Sequence, residues 1–408
     1  MVNNLYIFNF KSMNTVKSTR IESIDILRGL VMIIMALDHV RDYTNTGYLF
    51  LDPTNMDTTT PGLFFTRWIT HFCAPVFVFL AGTSAFLYGA KKTSKKALSK
   101  FLFTRGLWLV FTELTIVNFA WTFDINLSLH IFQVIWAIGA CMMILSGLIY
   151  FPKKVLLILG LLILFGHNLL DGITMQGNDP LAILWYFIHQ QNFVVFNGGQ
   201  SMMFVAYPIL PWLGIMVLGY CFGNFYKKDF NVAIRKKWLL ILGFGSIALF
   251  IVLRYINVYG DLVPWSVQKD STYTFLSFMN TAKYPPSLLY TLMTLGPSML
   301  FLYTIENVKN AITHVLVVIG RVPFFYYIIH LYVIHFVGLI GLTILGEDWR
   351  ELIMTPSRFM SGYLADKGFD LWVTYLVSIM VVVILYPFCN MFMKYKANNR
   401  DKWWLSYL

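Results

Sequence analysis

Residues 24–40 read IDILRGLVMIIMALDHV, and this stretch decides what kind of chain it belongs to. It is an apolar run that, at ~1.5 Å per residue, nearly matches the ~30 Å hydrocarbon core of a bilayer. Yet it holds Asp25, Arg28, Asp38 and His39. Ionisable groups in a spanning helix are costly and mark function by default. Arg28 and His39 are eleven residues apart, ~1100° of helical rotation, so they fall within ~20° of one face, separated by ~16 Å of rise. Asp25 lies on the same stripe, three residues before Arg28, where the two can pair. Asp38 points elsewhere. Asp42 follows His39 by three residues and is placed to orient its imidazole if the helix continues.

The rest of the chain fits a membrane setting. Of 408 residues 58% are hydrophobic and 12% charged, about half the charged share of a soluble domain. A large soluble globule is thereby excluded. Barrel strands alternate over ~10 residues, whereas this chain has unbroken apolar runs of the ~17–25 residues that a helix needs. The expected fold is therefore all-α, a polytopic integral membrane protein with about ten spans, at 24–40, 63–88, 102–122, 128–150, 153–170, 202–225, 238–256, 285–304, 322–345 and 371–393. Residues 1–23 form a cytoplasmic segment, 24–393 a single transmembrane domain and 394–408 a cytoplasmic tail. No cleavable signal precedes the first span, which is expected to act as the insertion signal. Segment 181–196 (LAILWYFIHQQNFVVF) is too interrupted to span and reads as re-entrant or interfacial on the outer face.

Orientation follows from Lys and Arg. With the N-terminus inside, 23 of the 31 fall on inner segments; Arg41, Lys269, Lys283, Arg350, Arg358 and Lys367 are outside, and Arg67 and Arg254 lie within spans. This bias explains the net charge of +11, and no nucleic-acid partner is expected. The four cysteines lie in or beside apolar runs, with neither pairing nor metal spacing. No P-loop, GxGxxG, GxSxG or HExxH occurs, and Gly82–Ser84 reads as a packing stripe.

Other polar groups at membrane depth are Arg67 and His71, at i, i+4 before the helix-bending Pro75; Glu113 and Asn118, with Arg105 at the inner end of their helix; His130 and Gln133; and His167 and Asn168. His330 and His335 are ~140° apart on one helix, so at most one of them faces a given site. Each lone histidine is first of all a packing or hydrogen-bonding residue.

The stretch RIESIDILRGLVMIIMALDHV, followed by FCAPVFVFLAGTSAFL, resembles bacterial relatives of the heparan-alpha-glucosaminide N-acetyltransferase catalytic domain. The segments YPILPWLGIMVLGY, KYPPSLLYTLMTLGP and GRVPFFYYIIHLYVIHF and the ending KWWLSYL extend the likeness over nearly the whole chain. Arg28-x10-His39 also matches the Arg/Lys-x10-His signature of the wider acyltransferase-3 family. The resemblance implies an enzyme of the cell (inner or plasma) membrane that takes an acyl group, acetyl by analogy, from cytoplasmic acyl-CoA and delivers it to a glycan or amino-sugar acceptor outside. It implies His39 as the catalytic base or acyl acceptor, with His71 as the next candidate. Arg28, Lys100, Arg105 and Arg321 would bind acyl-CoA, supported by Asp25, Asp42, Arg67, Glu113 and His330. No metal is expected, and oligomeric state is left open. One departure stands out: the lysosomal member of that family has its proposed catalytic histidine in the loop after the first span, and residues 41–62 hold none here. The competing readings are a transporter using the same polar stripe as a permeation path, and a haem-binding electron carrier ligated by histidines of different helices. A covalent acyl-histidine and direct attack in a ternary complex stay equally open.

Overall fold

The computed structural model describes residues 21–92 and 94–407; the expected N-terminal segment lies outside them up to Arg20. The chain is a helical polytopic membrane protein, and among the described residues eight helices are long and apolar enough to cross a bilayer. Its first helix, α1 (Glu22–Thr44), is not among them, because Glu22, Asp25, Arg28, Asp38, Arg41 and Asp42 lie along it. It tolerates these charges by being central: α1 packs on six other helices, α2, α3, α12, α13, α14 and α16, and is shielded from lipid.

The second expected span is broken into α2 (Pro61–Thr70) and α3 (Cys73–Gly89). Pro75 has no N–H, so the carbonyl four residues earlier, that of His71, loses its helical donor. Tyr290 repairs this by donating its hydroxyl to the His71 carbonyl at 2.7 Å. The next helix runs as α4 (Lys95–Thr112), a π-helical turn at Glu113–Val117, and α5 (Asn118–Thr122).

Two expected spans begin differently from the reading of the sequence. Their outer ends, at 128 and 202, are strands: β1 (Leu129–Phe132) precedes α6 (Val134–Leu148). After α7 (Lys153–Gly166), prolonged to Leu170 by a 3-10 turn, come the nine-residue α8 (Pro180–Ile188), β2 (Asn192–Phe196) and β3 (Ser201–Val205). The sheet order is β1-β3-β2, parallel between β1 and β3 and antiparallel between β2 and β3. Local chemistry overrides the apolar pattern here. The Asn118 side chain brackets β1, donating to the Leu129 carbonyl and accepting from the Ile131 N–H, while Pro208 holds the chain extended before α9 (Ile209–Phe222). Segment 181–196 is thus a short helix and a strand; at ~1.5 Å per residue α8 rises only ~14 Å and cannot span.

The remaining elements are α10 (Val232–Ile256), α11 (Ser271–Met279), α12 (Leu288–Ile305), α13 (Ala311–Arg321), α14 (Pro323–Ile344), α15 (Pro356–Ser361) and α16 (Leu371–Asn398). The helix α13 was not expected; 305–321 reads as a loop because the helix is only eleven residues long, started by the Asn310–Thr313 capping box and stopped before Pro323. It docks on α1 through reciprocal glycines. A Cβ on Gly29 would strike the Leu316 carbonyl, and one on Gly320 the Asp25 carbonyl. Helices α3 and α9 meet in the same way through Gly82 and Gly219, and α4 and α6 through Gly106 and Gly139. Such backbone-to-backbone approach is how helices gain dispersion contacts in lipid, where no hydrophobic drive separates helix from solvent. The outward faces of α7, α10 and α16 carry bare aliphatic and aromatic side chains, among them Leu162, Phe244 and Ile379. Exposed apolar side chains on this scale, on helices long enough to span, suit a hydrocarbon surround.

Candidate active site

A cavity of about 370 Å³ opens among α1, α3, α4, α6 and α14. Arg28, Arg105, Arg321 and Lys396 line it together with Ser84, and its apolar wall leads past Met32, Leu109 and Val134 to Tyr327. Arg28 is held at one end by Asp25 (3.1 Å), the Gly320 carbonyl (3.1 Å) and Ser84 Oγ (3.1 Å). Asp25 also meets Arg321 at 3.4 Å, so α1 and α13 present their guanidinium groups as one unit. Lys100 does not join them. It lies on the exposed face of α4, ~140° around the helix from Arg105, which turns inward. The C-terminal residues fold back here: the Tyr407 ring packs 6.3 Å from Phe101, which lines the cavity, and its hydroxyl meets Thr104 at 2.9 Å.

Beyond the apolar wall is a histidine pair. His39 Nδ1 and His330 Nε2 are 2.8 Å apart, with the rings stacked at 5.0 Å. His330 Nδ1 lies 3.0 Å from the Tyr326 carbonyl, which can only accept, so His330 Nδ1 carries the proton. In the neutral ring His330 Nε2 is then an acceptor, and His39 Nδ1–H donates to it. The consequence is a fixed tautomer for His39: its Nε2 has a lone pair and no hydrogen-bond partner among the described residues. Trp121 and Tyr327 pack edge-on against the His39 ring at 4.8 and 6.4 Å. The stripe read from the sequence is real, with Arg28 and Met32 lining the cavity and His39 touching its far wall through Tyr327. The His39–His330 contact leaves no room for an iron between those two nitrogens, which would have to part to ~4 Å.

Several expected partners are elsewhere. Asp42 does not orient His39; the helix continues to Thr44, but the neighbouring Arg41 guanidinium takes the carboxylate at 2.5 Å. Asp38, pointing away from the stripe, is instead the centre of a second buried cluster. Arg67 Nη1 donates to both its oxygens at 2.8 and 2.7 Å, Arg41 approaches at 3.1 Å and Lys283 at 3.8 Å. His71 lies at the α2–α3 break, ring against Tyr290 at 5.3 Å, and does not line the cavity. Glu113 caps a neighbour: its oxygens accept the N–H groups of Gln133 (3.1 Å) and Trp136 (3.3 Å), at the positive end of α6. His335 lies between two carbonyls, Nδ1 2.8 Å from that of Ala120 and Nε2 3.0 Å from that of Leu352, and as a neutral ring donates to one of them. Ser84 was read as packing, yet it holds Arg28; Gly82 does pack, as expected. Lys396 and Tyr327 had no signal in the sequence beyond their place near the ends of apolar runs.

A cavity with cations at one end and, beyond its apolar wall, an oriented imidazole is an arrangement suited to group transfer inside a membrane protein. The family model described as heparan-alpha-glucosaminide N-acetyltransferase, catalytic, matches residues 20–257, more than half of the chain, and the chain belongs to that family. It is accordingly a membrane transferase. Among curated proteins none matches the chain. The matched region contains Arg28, His39 and Arg105, while Arg321, Tyr327 and His330 come from beyond it.

Proposed function

We propose that this protein transfers an acetyl group from acetyl-CoA, bound at the Arg28–Arg105–Arg321–Lys396 end of the cavity, to an amino-sugar or sugar acceptor that meets it at His39. The carrying observation is the order of groups from the cavity outward: cations, then an apolar passage, then, behind Tyr327 at its far wall, a histidine whose Nε2 has no hydrogen-bond partner among the described residues. Guanidinium and ammonium groups suit the phosphates of CoA, and the apolar passage suits the pantetheine arm. The ~16 Å rise from Arg28 to His39 sets its length.

In the reaction the acceptor nitrogen or oxygen attacks the thioester carbonyl carbon, forming the new C–N or C–O bond, and the C–S bond breaks. His39 Nε2 takes the proton that the acceptor loses and returns it to the departing thiolate, so that CoA leaves as the thiol. His330 accepts the Nδ1 hydrogen throughout and keeps the ring from rotating. Attack by Nε2 itself, giving a transient acyl-imidazole, uses the same geometry.

The test is incubation of the purified protein with radiolabelled acetyl-CoA and glucosamine or related sugars, followed by mass analysis of the product. Label in the sugar fraction is expected. No transfer to any sugar or amine by a protein that binds CoA would defeat the proposal.

A further inference from the structure

A second polar cluster lies apart from the cavity. His167 ends the α7 span, Asp171 follows in the next turn, and His189 closes α8. Each offers one ligand atom, and these atoms all lie within 4.8 Å of one another. His167 and His189 are each 2% exposed. Their rings are 5.5 Å apart at an interplanar angle of 67°, and His189 Nε2 is 3.0 Å from Asp171 Oδ1.

Hydrogen bonding accounts for only part of this. The His189–Asp171 contact satisfies one nitrogen and one oxygen. Asn168 Nδ2 donates to the other Asp171 oxygen at 2.8 Å, fixing the carboxylate plane. His189 Nδ1 is left buried without a partner, and both nitrogens of His167 are buried without one, among the described residues. A neutral imidazole carries one donor and one acceptor. Leaving either unmet in the interior costs about 1–3 kcal/mol, so a ring with two unmet nitrogens at the end of a span calls for an explanation.

We propose that His167, His189 and Asp171 bind a divalent transition-metal ion of the zinc type, and that the ion fastens the end of α7 to α8. Two imidazoles and one carboxylate favour zinc and its neighbours over calcium or magnesium, which take oxygen ligands. Bonds of ~2.0–2.1 Å to a tetrahedral ion put ligand atoms ~3.4 Å apart. The His189–Asp171 pair is already that close, and His167 needs to move by roughly 1.5 Å at most. Asn168 is the group that orients the carboxylate ligand, as metal sites commonly require. Burial of the histidines denies a substrate access, so the ion is structural. The element it would secure is α8, whose Ala182 and Tyr186 form with Val194 and Val205 a small core separate from the main one. The ion would thus anchor the three-stranded sheet to the helical body. This proposal does not depend on the acyl-transfer reading.

The experiment is zinc loading of the full-length protein in detergent, desalting, and metal analysis by mass spectrometry. About one zinc ion per chain is expected. His167→Ala and His189→Ala should each weaken binding by more than about tenfold, and Asn168→Ala by about 10–100-fold. His314→Ala, on an exposed face of α13, serves as the control and should bind normally. Should the variants fail to fold, Co2+ titration of the unaltered protein decides: a tetrahedral site gives intense visible d–d absorption that excess Zn2+ abolishes and Mg2+ does not. Negligible zinc after loading, zinc in the two histidine variants undiminished from the unaltered protein, or a Co2+ spectrum without that absorption overturns the proposal.

Discussion

At the scale of single residues, the proposed transfer turns on a proton that His39 Nε2 does not have. The Tyr326 carbonyl fixes the His330 tautomer, and His330 fixes that of His39. A positioned base contributes ~10²–10⁴-fold, so His39→Ala should lose turnover by that factor while CoA affinity, measured by calorimetry, stays near that of the parent. His330→Phe keeps the bulk but removes the acceptor of Nδ1–H. Each ~1.4 kcal/mol of lost orientation is a factor of ten. A kcat fall of about tenfold or more is expected, with unchanged CoA affinity; equal rates would remove His330 from the mechanism. Arg28 and His39 were legible because helical periodicity places residues of one helix on a common face. His330 was only half-legible, since periodicity separates it from His335 without saying which turns inward. Ser84, Lys283 and Tyr327 were not legible, because what they touch lies on other helices far along the chain. Asp38 shows the same limit: its direction away from the stripe could be read, but not the three cations that converge on it.

The elements divide along similar lines. Of the long apolar runs, α7 with its 3-10 turn and α14 were recovered to within a residue at each end, because bilayer thickness dictates their length, whereas α10 starts six residues earlier and α16 ends five residues later than the expected spans. The β1–β3–β2 sheet and α13 were missed, because an asparagine bracket, a proline and a capping box determine them rather than hydropathy. The α2–α3 break offers a direct measurement. Tyr290→Phe removes the donor to the His71 carbonyl and should cost about 1–3 kcal/mol, seen as a lower melting temperature in detergent; an unchanged melting curve would mean that another donor serves that carbonyl. Gly29→Ala tests the α1–α13 contact. Overpacking in a core typically costs about 1–3 kcal/mol, and here backbone meets backbone, so the loss should reach the upper end or beyond. Folded yield should fall, and with it CoA affinity, since Arg28 and Arg321 sit on the two sides of that seam. A well-folded variant with normal CoA affinity would show the seam to be loose.

For the molecule as a whole, the Lys/Arg asymmetry gives a direction that the helices alone do not. Cysteines introduced by Asn55→Cys or Ser271→Cys, both at exposed positions, should react with an impermeant maleimide in intact cells after the native cysteines are replaced. Reaction only after permeabilisation would reverse the orientation, and with it the side from which CoA enters. The glycine seams also bear on how substrates come and go. Helices α1 and α13, α3 and α9, and α4 and α6 are each joined at backbone distance, so each pair behaves mechanically as a single stiff plank. A plank can tilt but its two halves cannot slide, because sliding would drive a carbonyl into the facing chain. The cavity is walled by α1, α3, α4 and α6 from three different planks, together with residues of α13, α14 and α16, so the seams between planks, where side chains rather than backbones meet, are where its width has room to change. The spacing of Arg28 from Arg321, two halves of one plank, is therefore a fixed gauge, whereas the spacing of Arg28 from Arg105, on different planks, is the adjustable jaw.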